Sequence, residues 1–206
     1  MISVTPECRI NQIAQERLTR IGRVGDFIAR NIIPKLASSK SNIVNLEIGC
    51  GHGHWLTSLA SSRKNELFVG IDLLSKRVRK ADRKKELALL DNVFFLKAEA
   101  SEFLEALPKK IHIKNTFVMY PDPWPKKRHH KNRLIQDSFL CLLHDKSQKE
   151  SKLFFKTDHA AYFEWTKQII LESPSWNLGS EAWPHNASSY FDDLFESSNS
   201  CSASYI

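Results

Sequence analysis

Along this chain the apolar positions change rhythm several times, and each change marks a different kind of element. From Ile10 to Leu36 they recur at helical spacing (Ile10, Ile13, Leu18, Ile21, Val24, Ile28, Ile32), which predicts one or two helices, with Pro34 disturbing the end of the segment. Five short apolar runs follow at Ile43–Ile48, Leu67–Ile71, Val93–Lys97, Thr116–Tyr120 and Leu153–Lys156. Such near-continuous runs read as parallel strands buried on both faces. Helical periodicity fills the gaps between them, at about Gly53–Ser62, Ser75–Leu90, Ser101–Leu107, Lys131–His144 and Ala160–Leu171. Crossovers of this length are too long for hairpins and long enough for strand–helix–strand units. The alternation therefore predicts an α/β fold, Rossmann-like, with a doubly wound, mostly parallel sheet and helices on both faces.

After Ser173 the rhythm weakens. Trp176–Trp183 reads as a late strand, Tyr190–Glu196 as a short helix, and Ser197–Ser204 as a Ser-rich stretch expected to be poorly ordered. At 206 residues the chain fits one domain. It divides into an N-terminal helical segment (1–40), a core (41–173) and a C-terminal segment (174–206) expected on the substrate side.

Composition narrows the classes of function. Hydrophobic residues are 42% and charged residues 26%, a globular balance, while 30 Lys and Arg against 23 Asp and Glu leave a formal charge of +7. That surplus favours a polyanionic partner such as nucleic acid. Cys8, Cys50, Cys141 and Cys201 are scattered, without the close pairing of a zinc site or the density of a disulfide framework. No secretory pattern opens the sequence, and no apolar run has the length of a membrane span. The expectation is a soluble, cytoplasmic protein, monomer or homodimer, with neither membrane nor metal among its partners.

Two segments carry chemistry. The first predicted strand runs into Glu47-Ile48-Gly49-Cys50-Gly51-His52-Gly53, where alternate glycines allow a sharp turn and close approach of a ligand. Asp72 ends the second strand 19 residues beyond Gly53 (72 − 53), where a carboxylate can accept from both hydroxyls of a ribose. A dinucleotide would place a pyrophosphate at the start of the helix, and Glu47 would repel it. The same carboxylate suits the cationic amino acid end of S-adenosyl-L-methionine (AdoMet). Glu99, at the end of the third strand, can reach an adenine amino group or simply start a helix.

The second segment, Pro121-Asp122-Pro123-Trp124-Pro125-Lys126-Lys127-Arg128-His129-His130-Lys131-Asn132-Arg133, follows the fourth strand. Ligands of open α/β sheets bind beyond the carboxyl ends of the strands, so it borders the same site. Three prolines stiffen the loop that carries Asp122 and Trp124. The Trp124 ring offers a base a face to stack on, and the seven Lys, Arg or His residues behind it can hold phosphates.

Together these residues resemble the bacterial tRNA (guanine-N7-)-methyltransferases of the TrmB type. The resemblance rests on Glu47–Gly53, Gly70–Asp72, Pro121–Arg133, Lys156-Thr157-Asp158 and Ser189-Tyr190-Phe191-Asp192, and spans residues 40 to 195. It implies a class I methyltransferase that uses AdoMet on a tRNA guanine. By position it assigns Glu47, Gly49, Gly51, Gly53, Asp72, Glu99 and Asp122 to the cofactor and makes Asp122 the catalytic position. Lys126, Asp158, Ser189, Tyr190, Phe191 and Asp192 fall to the substrate, and Arg128, His129, His130, Lys131, Asn132 and Arg133 to RNA. The chain departs from the usual pattern with Asp72 in place of Glu, Glu99 in place of Asp, Tyr190 in place of Lys, and a short N-terminal extension. Two other readings fit the same residues: an amino-methyltransferase, whose Asn/Asp-Pro-Pro-Tyr/Phe loop Pro121–Trp124 nearly matches, and a non-catalytic RNA-binding protein on this fold.

Overall fold

The computed structural model describes residues 6–187 and 197–206. The helix expected at Tyr190–Glu196, and with it Ser189, Tyr190, Phe191 and Asp192, lies outside them.

A seven-stranded sheet organises the molecule, in the order β3-β2-β1-β4-β5-β7-β6. Strands β1 (Ile43–Ile48), β2 (Phe68–Asp72), β3 (Val93–Lys97), β4 (His112–Met119) and β5 (Ser147–Thr157) are parallel. The five are the predicted runs, with β4 and β5 extended at their amino ends. Both faces of the sheet are covered, which is why the runs do not alternate. On one face α3 (His54–Ser62) and α4 (Ser75–Leu87) pack Trp55, Leu56, Leu59 and Ala81 against Phe68, Phe95 and Phe117. On the other, α1 (Pro6–Phe27), α2 (Ile33–Ser38), α5 (Ala100–Ala106), α6 (Asp137–Lys146) and α7 (Ala160–Glu172) bury Val24, Leu36, Phe103, Leu140 and Ile170 over Leu46, Val69 and Phe155. No helix of the described residues is long and apolar enough to cross a membrane.

The N-terminal helical pattern is used only in part. Ile10, Ile13 and Leu18 are exposed, whereas Val24, Ile28, Ile32 and Leu36 are buried. These four recur at intervals of four, a spacing that drifts around an α-helix of 3.6 residues per turn. A single wide π-helical turn at Ile28–Ile32 corrects the drift and lets Pro34 enter at the start of α2.

The Ser-rich tail is the main correction. Asn199–Tyr205 forms β7, which lies antiparallel between β5 and β6 (Trp176–Gly179). Its small residues suit an interior slot. Cys201, Ser202 and Ala203 are buried, with Ala203 in register with Leu153 and Leu178. Composition reads such a stretch as disorder because it carries little apolar area of its own, and the neighbouring strands supply it.

Candidate functional site

The strand order reverses between β1 and β4, and the chains leaving these two strands diverge to opposite sides. A cavity of about 960 Å³ opens there. Its walls bring together Gly49, Asp72, Glu99, Asp122 and Trp124, from four successive strand ends.

The first wall is the glycine loop. Gly49, Gly51 and Gly53 all have positive φ, at +77°, +54° and +68°. A Cβ at Gly53 would lie 2.7 Å from the Ala81 Cβ and 2.8 Å from Phe95 Cζ, so this glycine is demanded by packing as well as by conformation. A Cβ at Gly49 or Gly51 would meet nothing within 4 Å, so that side of the loop is open.

Asp72 is held from three sides. Its carboxylate accepts from the Gly51 N–H at 3.1 Å and the Leu74 N–H at 2.8 Å, and Arg77 of α4 stands 3.6 Å away. Arg77 also lines the cavity and was not expected in the site. Its signal was an Arg in the first turn of the helix after an acidic strand end. Glu99 caps α5, accepting from the Glu102 N–H at 3.1 Å and from the Ser101 hydroxyl, and it also faces the cavity. The helix-start reading of Glu99 is thus met without removing it from the wall.

Glu47 does not line the cavity. Its side chain is 3% exposed, and among the described residues Oε2 has no hydrogen-bond partner. Burial, with a smaller push from the charge of Asp72, raises its pKa to about 8. Cys50 beside it is raised well above the usual thiol range, chiefly by burial.

The opposite wall is the proline-rich loop. Two residues adopt the left-handed backbone, Tyr120 at φ +50° and Trp124 at φ +45°, and they bracket the exposed Asp122. Non-glycine residues in this region hold only where their surroundings over-determine them. Here the brace is Arg133. Expected among the RNA-facing cations, it is turned inward and is 3% exposed, along the inner wall of the cavity. It donates to the Pro123 carbonyl at 2.9 Å and stacks its guanidinium on Tyr162 and Trp165, 4.8 and 5.1 Å from their ring centres. Trp165 in turn donates to the Ile135 carbonyl at 3.1 Å, and Tyr162, raised to about 12 chiefly by burial, accepts from the Ile135 N–H at 3.2 Å.

Ahead of Arg133, Lys127–Asn132 form a 3-10 turn with no buried residue, where a longer helix starting at Lys131 was expected. Lys131 and Asn132 reach the cavity, and His129 packs edge-on against Trp124 at 5.8 Å. Lys126 and Asp158 are exposed and stand outside the cavity wall. Next to Asp158, His159 caps α7, its Nδ1 accepting from the Tyr162 N–H at 3.2 Å.

The family model Methyltransf_4, described as "Putative methyltransferase", matches residues 41–194. A tRNA (guanine-N(7)-)-methyltransferase of Caulobacter vibrioides is 34% identical over 79% of this chain and 70% of its own length. Another of that name, from Syntrophotalea carbinolica, is 40% identical over 59% of this chain and 52% of its own. Among solved structures, an rRNA methylase from Streptococcus thermophilus superposes with a TM-score of 0.55 over 80% of this chain and 87% of its own, at 10% identity.

Proposed function

Because the chain belongs to the tRNA (guanine-N(7)-)-methyltransferase family, we propose that it transfers a methyl group from AdoMet to N7 of a guanine in tRNA. One observation carries the reading: a single cavity joins a wall suited to a nucleoside cofactor, with Asp72 and Glu99, to a wall suited to a nucleobase, with Asp122 and Trp124.

The residues of the first wall fit AdoMet. Behind that wall, Glu47 Oε2 has no partner among the described residues and suits a cation, and the open side of Gly49 and Gly51 leaves room for a close approach. Asp72, already oriented by two N–H groups, retains lone pairs for ribose hydroxyls. Glu99 suits the adenine amino group. When bound, the cofactor supplies a methyl group on a positively charged sulfur.

On the substrate side, Trp124 offers a stacking face held by the Arg133 brace. Guanine N7 carries a lone pair and no proton, so its attack needs no general base. Positive charge builds on the purine during transfer, and the Asp122 carboxylate stabilises it from a fixed position. Arg128, His129, His130, Lys131 and Asn132 hold the RNA backbone near the cavity mouth. Contacts from Lys126, Asp158, Ser189, Tyr190, Phe191 and Asp192 to the guanine or its neighbours are proposed from the family pattern.

The test incubates the protein with labelled AdoMet and bulk tRNA, followed by chemical cleavage at 7-methylguanosine. Label that cleaves at single guanines supports the assignment. Label retained on an exocyclic amine, or none transferred, overturns it.

A further inference from the structure

Helix α4 carries seven Lys and Arg against two acids in thirteen residues, a surplus of five in a chain whose whole formal surplus is seven. Lys76, Arg79, Lys80 and Arg83 recur at i, i+3, i+4 and i+7, which stacks them in one stripe. The stripe faces away from Val78 and Ala81, the two buried residues of the helix. All four cations are exposed, and among the described residues none forms an ion pair.

The other cations of the helix are engaged. Arg77 stands by Asp72, Lys84 donates to His54 Nδ1 at 2.6 Å, and Lys85 lies 4.5 Å from the Phe94 ring centre with the half-buried Asp82 nearby. Neighbouring like charges on a helix repel, and a merely solvated surface does better with both signs interspersed. The stripe carries that repulsion along about 10 Å of helix, with no acid inside it and no ion pair to Asp82 or Glu86 on its flank. Lys80 of the stripe also acts on the glycine loop, where His52 is less basic than usual, first through burial and then through Lys80, with Arg77 and Lys84 adding to it.

Placement connects the stripe to the site. α4 starts just after Asp72, and Leu74 and Arg77 line the cavity. The stripe therefore runs outward from the rim formed by β2, across the cavity from the Lys127–Asn132 turn that follows β4. We infer that the outer face of α4 is a docking surface for RNA phosphates, gripping the tRNA on the cofactor side while the Lys127–Asn132 turn grips it on the other. The inference rests on the reading of the chain as a tRNA methyltransferase. An anionic membrane is the poorer occupant, because a helix that lies in a membrane surface inserts an apolar face, and α4 spends its Val78 and Ala81 face against the sheet.

The test is the full-length variant K76Q/R79Q/K80Q/R83Q, which leaves Arg77 and the cavity untouched. Circular dichroism and S-adenosylhomocysteine affinity matching the native protein establish that it folds, and K76R/K80R serves as the charge-conserving control. Bulk tRNA binding is titrated across salt concentrations and methylation kinetics are followed. Each phosphate contact on a duplex contributes about 0.9 to the salt slope, so the slope should become shallower by roughly 3 to 4. At about 0.15 M salt the tRNA Kd and KM should rise about tenfold or more, with kcat at saturating tRNA unchanged and native behaviour in K76R/K80R. Native affinity and salt slope in the quadruple variant would overturn the inference, as would loss of binding to phosphatidylserine vesicles with tRNA binding intact. A slope that depends on α4, without methyl transfer to guanine N7 in the native protein, would keep the docking surface and sink the catalytic assignment. Normal N7 methylation by both proteins with identical tRNA binding would do the reverse.

Discussion

Glu47 opposes folding, and the cofactor contact proposed for it can be measured separately. The side chain is 3% exposed, one carboxyl oxygen has no partner among the described residues, and Asp72 adds a like charge. Its pKa of about 8 stands against an ordinary 4.5. Between those values the folded chain keeps a proton that the unfolded chain releases, so stability falls as pH rises through this window. At about 1.36 kcal/mol per pH unit, the penalty is about 4 kcal/mol at pH 8 and close to zero at pH 4. Glu47→Gln removes the titration while keeping the shape. For a chain of this size each kcal/mol moves Tm by about 2–4 °C, so the variant should melt roughly 8–16 °C above the native protein at pH 8 and level with it near pH 4.5. Scanning calorimetry without ligand, at constant ionic strength from pH 4.5 to 8.5, reads the difference. Calorimetric titration with S-adenosylhomocysteine should show the opposite sign, a weaker affinity in the variant, since a carboxyl at this position can give up its proton when a cationic amino group arrives and an amide cannot. A Tm difference that stays constant with pH would refute the reasoning, because it would mean that the buried carboxyl ionises as freely as an exposed one.

Other outcomes test the site piece by piece. Asp122→Ala should lower methyl transfer by roughly 10²–10³-fold and leave S-adenosylhomocysteine affinity almost unchanged; equal losses in both would assign Asp122 to the cofactor. Arg133→Ala should cut kcat about tenfold or more with little change in the KM for tRNA, since it acts through the loop that holds Asp122, and Arg133→Lys should not restore it because an ammonium cannot stack flat on Tyr162 and Trp165. A raised KM with kcat intact would instead make Arg133 an RNA contact. Gly53→Ala forces a left-handed φ and drives a Cβ to 2.7 Å from Ala81, a cost of about 2–4 kcal/mol that thermal melting should register as a Tm lower by at least about 4 °C.

What was legible in advance was whatever is local. Alternate glycines after an apolar run, an acid 19 residues later and prolines around Asp-Trp each constrain their own backbone, so strand ends and loops could be read from residue types alone. The parallel core followed because strands covered on both faces have no polar face to show. Three features were decided by distant partners. Arg133 looks like the rest of its basic run, and Tyr162 and Trp165, 29 and 32 positions later (162 − 133 and 165 − 133), together with the Pro123 carbonyl turn it inward. Ser-rich Asn199–Tyr205 looks unable to bury itself, and β5 and β6 provide the slot and the hydrogen bonds that make it a strand. Ile10, Ile13 and Leu18 have the same helical spacing as Val24 and Ile28, yet only the latter meet the sheet's helical layer. Periodicity sets which face of an element is apolar; whether that face is covered depends on where the rest of the chain arrives.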